Sequence, residues 1–99
     1  DVQMIERFKA GDCIRHFKRE EHSEGLNYLY IYLGIAWHTE NGEPLAVYKA
    51  LYGEQNLYAR PLEMFNESMK NGRSRFEKAT LEDLEAVKNA ISSQMLERH

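Results

Sequence analysis

The chain has a single cysteine, Cys13, and two prolines among its 99 residues. One cysteine excludes an internal disulfide and a cysteine-rich zinc site, and Cys13 reads as a small buried hydrophobe or an inert thiol. No apolar run is long enough to span a bilayer, and no signal-peptide pattern is present. A cytoplasmic protein with no membrane partner is therefore expected. Positive charge is also scarce: thirteen Lys and Arg stand against sixteen Asp and Glu, −3 overall. Such a chain has no global field to gather nucleic acid, so any anion site is local. The "GRS" at 72–74 is too short for a Gly-rich phosphate loop. Repeats, low-complexity tracts and dividing linkers are lacking too, which leaves one domain over 1–99.

Aromatic residues are plentiful. Six Tyr, four Phe and one Trp favour β-structure in a chain that is 42% hydrophobic and 29% charged. A chain of this length removes roughly 60–70% of its surface from water on folding, enough for one core. "DVQMIERF" predicts an N-terminal helical turn with Met4, Ile5 and Phe8 on one side, and Gly11–Asp12 a turn before a first strand near "CIRHFK". "YLYIYLGIAWHT" and "EPLAVYKALY" alternate with period two around "ENGE". A two-residue turn at Asn41–Gly42 sets Trp37 against Ala46, Ile35 against Tyr48 and Leu33 against Ala50. "GEQN" then leads to "LYARP", and pairing Gly53 with Asn56 puts Tyr52 opposite Leu57, Ala50 opposite Ala59 and Lys49 opposite Arg60. Pro61 ends that strand and opens a tight turn through "LEMF"; "RFEKA" is the last strand. Thr80 and Asp83 form a variant capping box before a helix whose Leu81, Leu84, Val87, Ile91 and Met95 are expected to lie on the barrel. The expected fold is mainly β: a small five-stranded SH3-like barrel over 11–79, with an added C-terminal α-helix over 80–98.

That register sorts the side chains. Ile31, Leu33, Ile35, Trp37, Ala46, Tyr48, Ala50, Tyr52, Leu57 and Ala59 make an apolar face, the expected core. The other face carries Tyr30, Tyr32, Gly34, Ala36, His38, Leu45, Val47, Lys49, Leu51, Tyr58 and Arg60. On it Lys49 and Arg60 face each other, an unfavourable pair for a sheet, beside the gap left by Gly34 and flanked by Tyr32 and Tyr58. Two cations among rings suit a phosphate or carboxylate bearing a flat ring. The plainer alternatives are that Gly34 is the bend a long strand needs, that Lys49 snorkels outward, and that Arg60 pairs with Glu63 or Glu54.

"RHFK" at 15–18, "YLGIAWHTENGEPLAVYKALYG" at 32–53, "YARPLEMF" at 58–65 and "RFE" at 75–77 resemble the bacterial "domain of unknown function 1653" family, from about Gly11 to Lys78. The resemblance implies a small cytoplasmic bacterial or phage protein and carries over no established activity. It marks His16, Phe17, His38, Glu40, Gly42, Tyr48, Leu51, Tyr52, Gly53, Arg60, Pro61 and Phe65 as matching the family pattern. At Lys49 that pattern is looser, so Arg60 is the firmer of the two cations. "REEHSEGLN" is longer than the family's usual turn, and the C-terminal helix lies outside the match.

Chemistry beyond binding has little support in the sequence. His16 and His38 are the candidates for proton transfer near neutral pH, but their wide spacing, even with Glu40, specifies no metal site. Structural roles compete: His38 can cap the hairpin, and His16 belongs to a basic cluster with Arg15, Lys18 and Arg19. Cys13 has no obvious His beside it, and the serines lie in polar loops or the last helix. No catalytic residue, metal or cofactor is expected. The leading expectation is a binding module for a small anionic ligand such as a nucleotide, or for short RNA, through Arg60, Tyr58, Tyr32, Lys49, His16, Lys18 and His38. The alternative is a protein-interaction domain, such as a homodimer through a strand edge or the helix. A small His-dependent hydrolase or transferase is the third.

Overall fold

The period-two stretches do form strands. In the computed structural model, which describes residues 5–97, β1 is Cys13–His16, β2 Leu29–Trp37, β3 Pro44–Ala50, β4 Leu57–Pro61 and β5 Phe76–Lys78. A short 3₁₀ helix, Phe17–Glu20, follows β1; a one-turn helix α1, Leu62–Phe65, follows β4; α2 spans Leu81–Glu97. All strands are antiparallel in one sheet of order β4-β3-β2-β1-β5. The fold is mainly β, with five strands and a C-terminal helix as expected, but the sheet does not close into an SH3-like barrel. Its edges are short: β4 stops at Pro61, which has no N–H to extend a ladder, and β5 is three residues long. The sheet curls instead, bringing Phe76 of β5 to 5.3 Å from Tyr48 of β3, ring to ring.

Both predicted registers are corrected. The β2–β3 connection closes at Trp37–Pro44 rather than around a two-residue turn, and Ile35 faces Ala46. Side chains hold the wider loop: Asn41 Oδ1 accepts from the Glu43 N–H at 2.8 Å, and His38 Nδ1 accepts from the Glu40 N–H at 3.2 Å. Between Tyr32 and Gly34 the ladder slips, leaving Leu33 as a β-bulge beside Gly34 at φ 136°, a conformation that suits glycine. Gly34 is thus the bend of a long strand. The bulge exchanges the faces of β2: Tyr30 and Tyr32 turn inward, opposite Ala50 and Tyr48, while Leu33 is exposed. Trp37, expected in the core, is 66% exposed at the hairpin's far end.

The β3–β4 pairing is shifted by three residues, so that Arg60 faces Ala46, Tyr58 faces Tyr48 and Lys49 faces Leu57. An odd shift turns every side chain to the other face. Tyr58 and Arg60 therefore share the inner face with Tyr48, on the same side as Trp37, while Lys49 and Leu57 point outward. The expected Lys49–Arg60 opposition does not exist.

The core gathers on this inner face. Tyr30, Tyr32, Ala46, Tyr48 and Ala50 from β2 and β3 meet Ile14, Phe76, Leu62 and Phe65, with Phe65 stacked on Phe76 at 4.6 Å and 17°. Burying each large side chain is worth about 1.5–3 kcal/mol. Pro61 ends β4 and α1 makes the tight turn, as expected. Residues 5–8 are not helical, although Phe8 is buried against Tyr32 and Phe65; Met4 lies outside the described residues.

Helix α2 starts as predicted. Asp83 N–H donates to Thr80 Oγ1 at 3.1 Å and Thr80 N–H to Asp83 Oδ2 at 2.9 Å. Its rotation differs from expectation. Leu81, Leu84 and Ile91 are exposed, Val87 is half-buried, and the Met95 side chain lies outside the described residues. The buried position is Asp83, paired with Arg19 of the 3₁₀ helix at 2.6 Å. One buried ion pair, rather than the leucine stripe, sets the helix's orientation. Among the described residues no helix is long and apolar enough to cross a membrane.

Candidate functional site

Where the curled inner face meets the end of β1, a cavity of about 230 Å³ opens. Its sheet wall consists of Tyr30, Tyr48, Tyr58, Arg60 and Phe76, and its turn wall of His16, Lys18 and Tyr28. None of these residues is acidic. The volume is below the roughly 300–1,000 Å³ common for drug-sized ligands, which suits one ring and one charged group.

The sheet wall is built by cross-strand pairing. Tyr48 and Tyr58 are direct partners on β3 and β4, with ring centroids 5.7 Å apart. Tyr30 meets Tyr48 edge-on at 5.3 Å, and its hydroxyl lies 2.8 Å from that of Tyr52. Such tilted and edge-on pairs add about 0.5–1.5 kcal/mol each beyond burial. Burial pushes the Tyr48 hydroxyl's pKa up, although the nearby charge of Arg60 favours its ionised form. Burial and the Tyr52 hydroxyl likewise push Tyr30 well up. Both phenols therefore stay neutral and keep their protons.

The turn wall is local. His16 caps the 3₁₀ helix, its Nδ1 accepting the Lys18 N–H at 3.2 Å. Burial first, and then the charges of Arg75, Lys18 and Arg60, lower the His16 pKa to about 4. At neutral pH the ring is uncharged, and with Nδ1 used as an acceptor its proton sits on Nε2. His16 is then a hydrogen-bond donor of fixed tautomer. Tyr28 closes this wall at φ 60°, an uncommon conformation for a non-glycine residue. Its carbonyl accepts the His16 N–H at 3.0 Å, and its ring lies 5.8 Å from His16 and 5.5 Å from Tyr52.

Arg75, just before β5, adds a third cation close enough to act on both His16 and Tyr48, and its Nε is buried with no hydrogen-bond partner. The charged lining residues Lys18 and Arg60 and the neighbouring Arg75 are thus all cations, and a flat ring has aromatic faces to lie on. Chemically the arrangement can take an anion through charge-assisted hydrogen bonds and hold an attached ring by stacking.

Of the residues singled out from the sequence, Arg60, Tyr58, His16 and Lys18 come together here. Tyr32, Lys49 and His38 do not. Tyr32 is buried toward Phe8 and Phe65 and donates its hydroxyl to Glu6 Oε2 at 2.7 Å. Lys49 is exposed on the outer face, and His38 braces the β2–β3 loop. Sequence reasoning missed Tyr28, Tyr30, Phe76 and Arg75 and placed Tyr48 only in the core. The repeated tyrosines of 28–32 and the "RFE" of the last strand were the available signals.

Fold and cavity together define a small curled antiparallel-sheet domain with a cationic aromatic cup. The chain belongs to the family described as protein of unknown function (DUF1653), whose model matches residues 12–78. That span holds both walls of the cup and ends before α2 begins at Leu81. No curated protein and no solved structure matches the chain.

Proposed function

We propose that the cup binds a small anion carrying one flat ring, with a nucleoside monophosphate as the representative ligand. The carrying observation is the convergence of Arg60, Lys18 and His16 on a small aromatic cavity with no acidic lining residue. Arg60 and Lys18 take the anion, His16 donates to one of its oxygens, and Tyr58 or Tyr28 stacks on the ring. The modest volume favours a free small ligand over an RNA chain. No residue of the cup is placed as a nucleophile or general base, so the reading is binding rather than catalysis.

Calorimetry against adenosine monophosphate (AMP), adenosine and a short oligoribonucleotide tests this. AMP should bind, adenosine should bind at least tenfold more weakly, and Arg60→Ala should cost AMP roughly 10- to 100-fold, the worth of a charge-assisted hydrogen bond. Equal affinity for AMP in Arg60→Ala would remove Arg60 from the site. Preferential, steeply salt-dependent binding of the oligoribonucleotide would replace the small ligand with RNA.

A further inference from the structure

The turn wall of the cup is fastened from behind by a residue outside the family-matched span. Alternation along β1 puts His16 on the cup side and Arg15 on the opposite face, where Arg15 Nη1 meets Asp83 Oδ2 at 3.2 Å. Three residues after His16, Arg19 Nε donates to the other oxygen, Asp83 Oδ1, at 2.6 Å. One carboxylate of α2 therefore grips both residues that bracket the His16–Phe17–Lys18 segment. Arg19 gives two further donors to the connection leading to Tyr28, Nη1 to the Asn27 carbonyl at 2.7 Å and Nη2 to the Gly25 carbonyl at 3.1 Å. Arg19 and Asp83 are 3% and 4% exposed, so these contacts are made out of water. The backbone that carries His16, Lys18 and Tyr28 is thus tied to one buried cluster, in addition to the pairing of His16 with Phe76 in the β1–β5 ladder.

We propose that Asp83 is a positioning residue for the cup: through Arg15 and Arg19 it fixes the turn wall, so that anion affinity depends on the docking of α2. This rests on the reading of the cup as an anion site, and it makes the helix part of that site's machinery. Linkage requires the reverse effect as well, because a ligand that needs the ordered turn wall must in return stabilise the contacts that order it.

The test uses the full chain at a temperature where circular dichroism shows every variant folded. Asp83→Asn, which keeps the shape and removes the charge, should bind AMP at least tenfold more weakly. A core variant with a matched loss of Tm and no contact with a lining residue, such as Phe8→Leu, whose ring meets Tyr32 and Phe65, should keep its affinity. In the unmodified protein, AMP should slow hydrogen exchange at the first turn of α2. Should Asp83→Asn fail to fold, Arg19→Lys keeps the charge but loses the fork to the Asn27 and Gly25 carbonyls, and should show the same selective loss. Native affinity in Asp83→Asn would overturn the positioning role and leave the anion site standing. Should the unmodified protein bind no AMP, the anion reading fails, and the positioning role is decided on the free protein. There, NMR signals of the His16 and Tyr28 rings should move in Asp83→Asn and stay in Phe8→Leu, and unmoved signals in Asp83→Asn would overturn it.

Discussion

On one side of the cup, Tyr30, Tyr48 and Phe76 touch ring to ring across strands β2, β3 and β5, and their positions follow from the whole sheet. On the other side, His16 ends β1, Lys18 stands on the 3₁₀ turn and Tyr28 on the chain that follows it, and Arg15 and Arg19 tie this stretch to a single carboxylate. The first wall is secured by many small dispersion contacts, no one of which decides its shape. Beyond the pairing of His16 with Phe76, the second depends on very few interactions, and the Arg19–Asp83 pair among them is strong because it is dry. Loss of one partner from a buried ion pair costs about 3–5 kcal/mol, because the remaining charge is stranded. A binding cup with one rigid and one separately fastened wall can change its ligand contacts without repacking its core.

The comparison breaks most visibly at Phe76, which touches both walls: its ring lies 5.3 Å from Tyr48 and 5.1 Å from His16, and it stacks on Phe65. Phe76→Ala leaves a cavity at the centre of the core, and a loss of about 3–5 kcal/mol in chemical denaturation is expected. Amide exchange should accelerate across β1, β3 and β5 together. A loss confined to the turn wall would mean that the two walls are less joined than their shared ring implies.

Acid should act on the turn wall first. His16 has a folded pKa of about 4 against an ordinary 6.5, so the unfolded chain binds the proton more readily. Stability from this group is therefore fully present above pH 6.5 and declines as pH falls toward 4. The expected slope is about 1 kcal/mol per pH unit, the linkage value discounted for partial exposure. Asp83 acts lower. Burial works against its charge, but hydrogen bonds from Arg19 and Thr80 and the charge of Arg15 outweigh that cost and hold its pKa below the ordinary 3.8. Its contribution is lost only as pH drops below that value. His16→Gln should flatten the upper window and leave the lower one, as read by urea denaturation at stepped pH. A bound phosphate should also raise the His16 titration midpoint, because a dianion offsets the three neighbouring cations.

The legible parts of this molecule are those decided by neighbours in sequence. Pro61, the Thr80–Asp83 cap and the existence of the β2–β3 hairpin were readable because each rests on residues within a few positions. The register was not. Hydrogen bonds accepted by the Asn41 and His38 side chains hold the wider loop, and Leu33 bulges out of an aromatic and aliphatic run in which only Gly34 marks the place. One slip there and an odd shift at β4 exchanged the faces, so Tyr58 and Arg60 reach the cup from the side expected to be core. The Arg19–Asp83 pair joins residues 64 positions apart, and two charges in polar surroundings give no sign of that partnership.

The same pair explains why the leucines of α2 misled. A stripe of Leu81, Leu84 and Ile91 at helical spacing normally marks the buried side of a helix, yet Leu81 is 85% exposed. Docking is decided instead by where Asp83 finds its arginines, and a helix cannot present Asp83 and Leu81 to one surface when two residues, about 200° of turn, separate them. Leu81→Ser should therefore change stability by no more than about 0.5 kcal/mol, the range of ordinary surface substitutions. Thermal denaturation with light scattering on the same samples checks this. A larger loss would show that the stripe is buried in solution, and a halved scattering mass would assign its cover to a second copy of the chain. An unchanged mass with an unchanged Tm leaves the carboxylate as the helix's principal anchor.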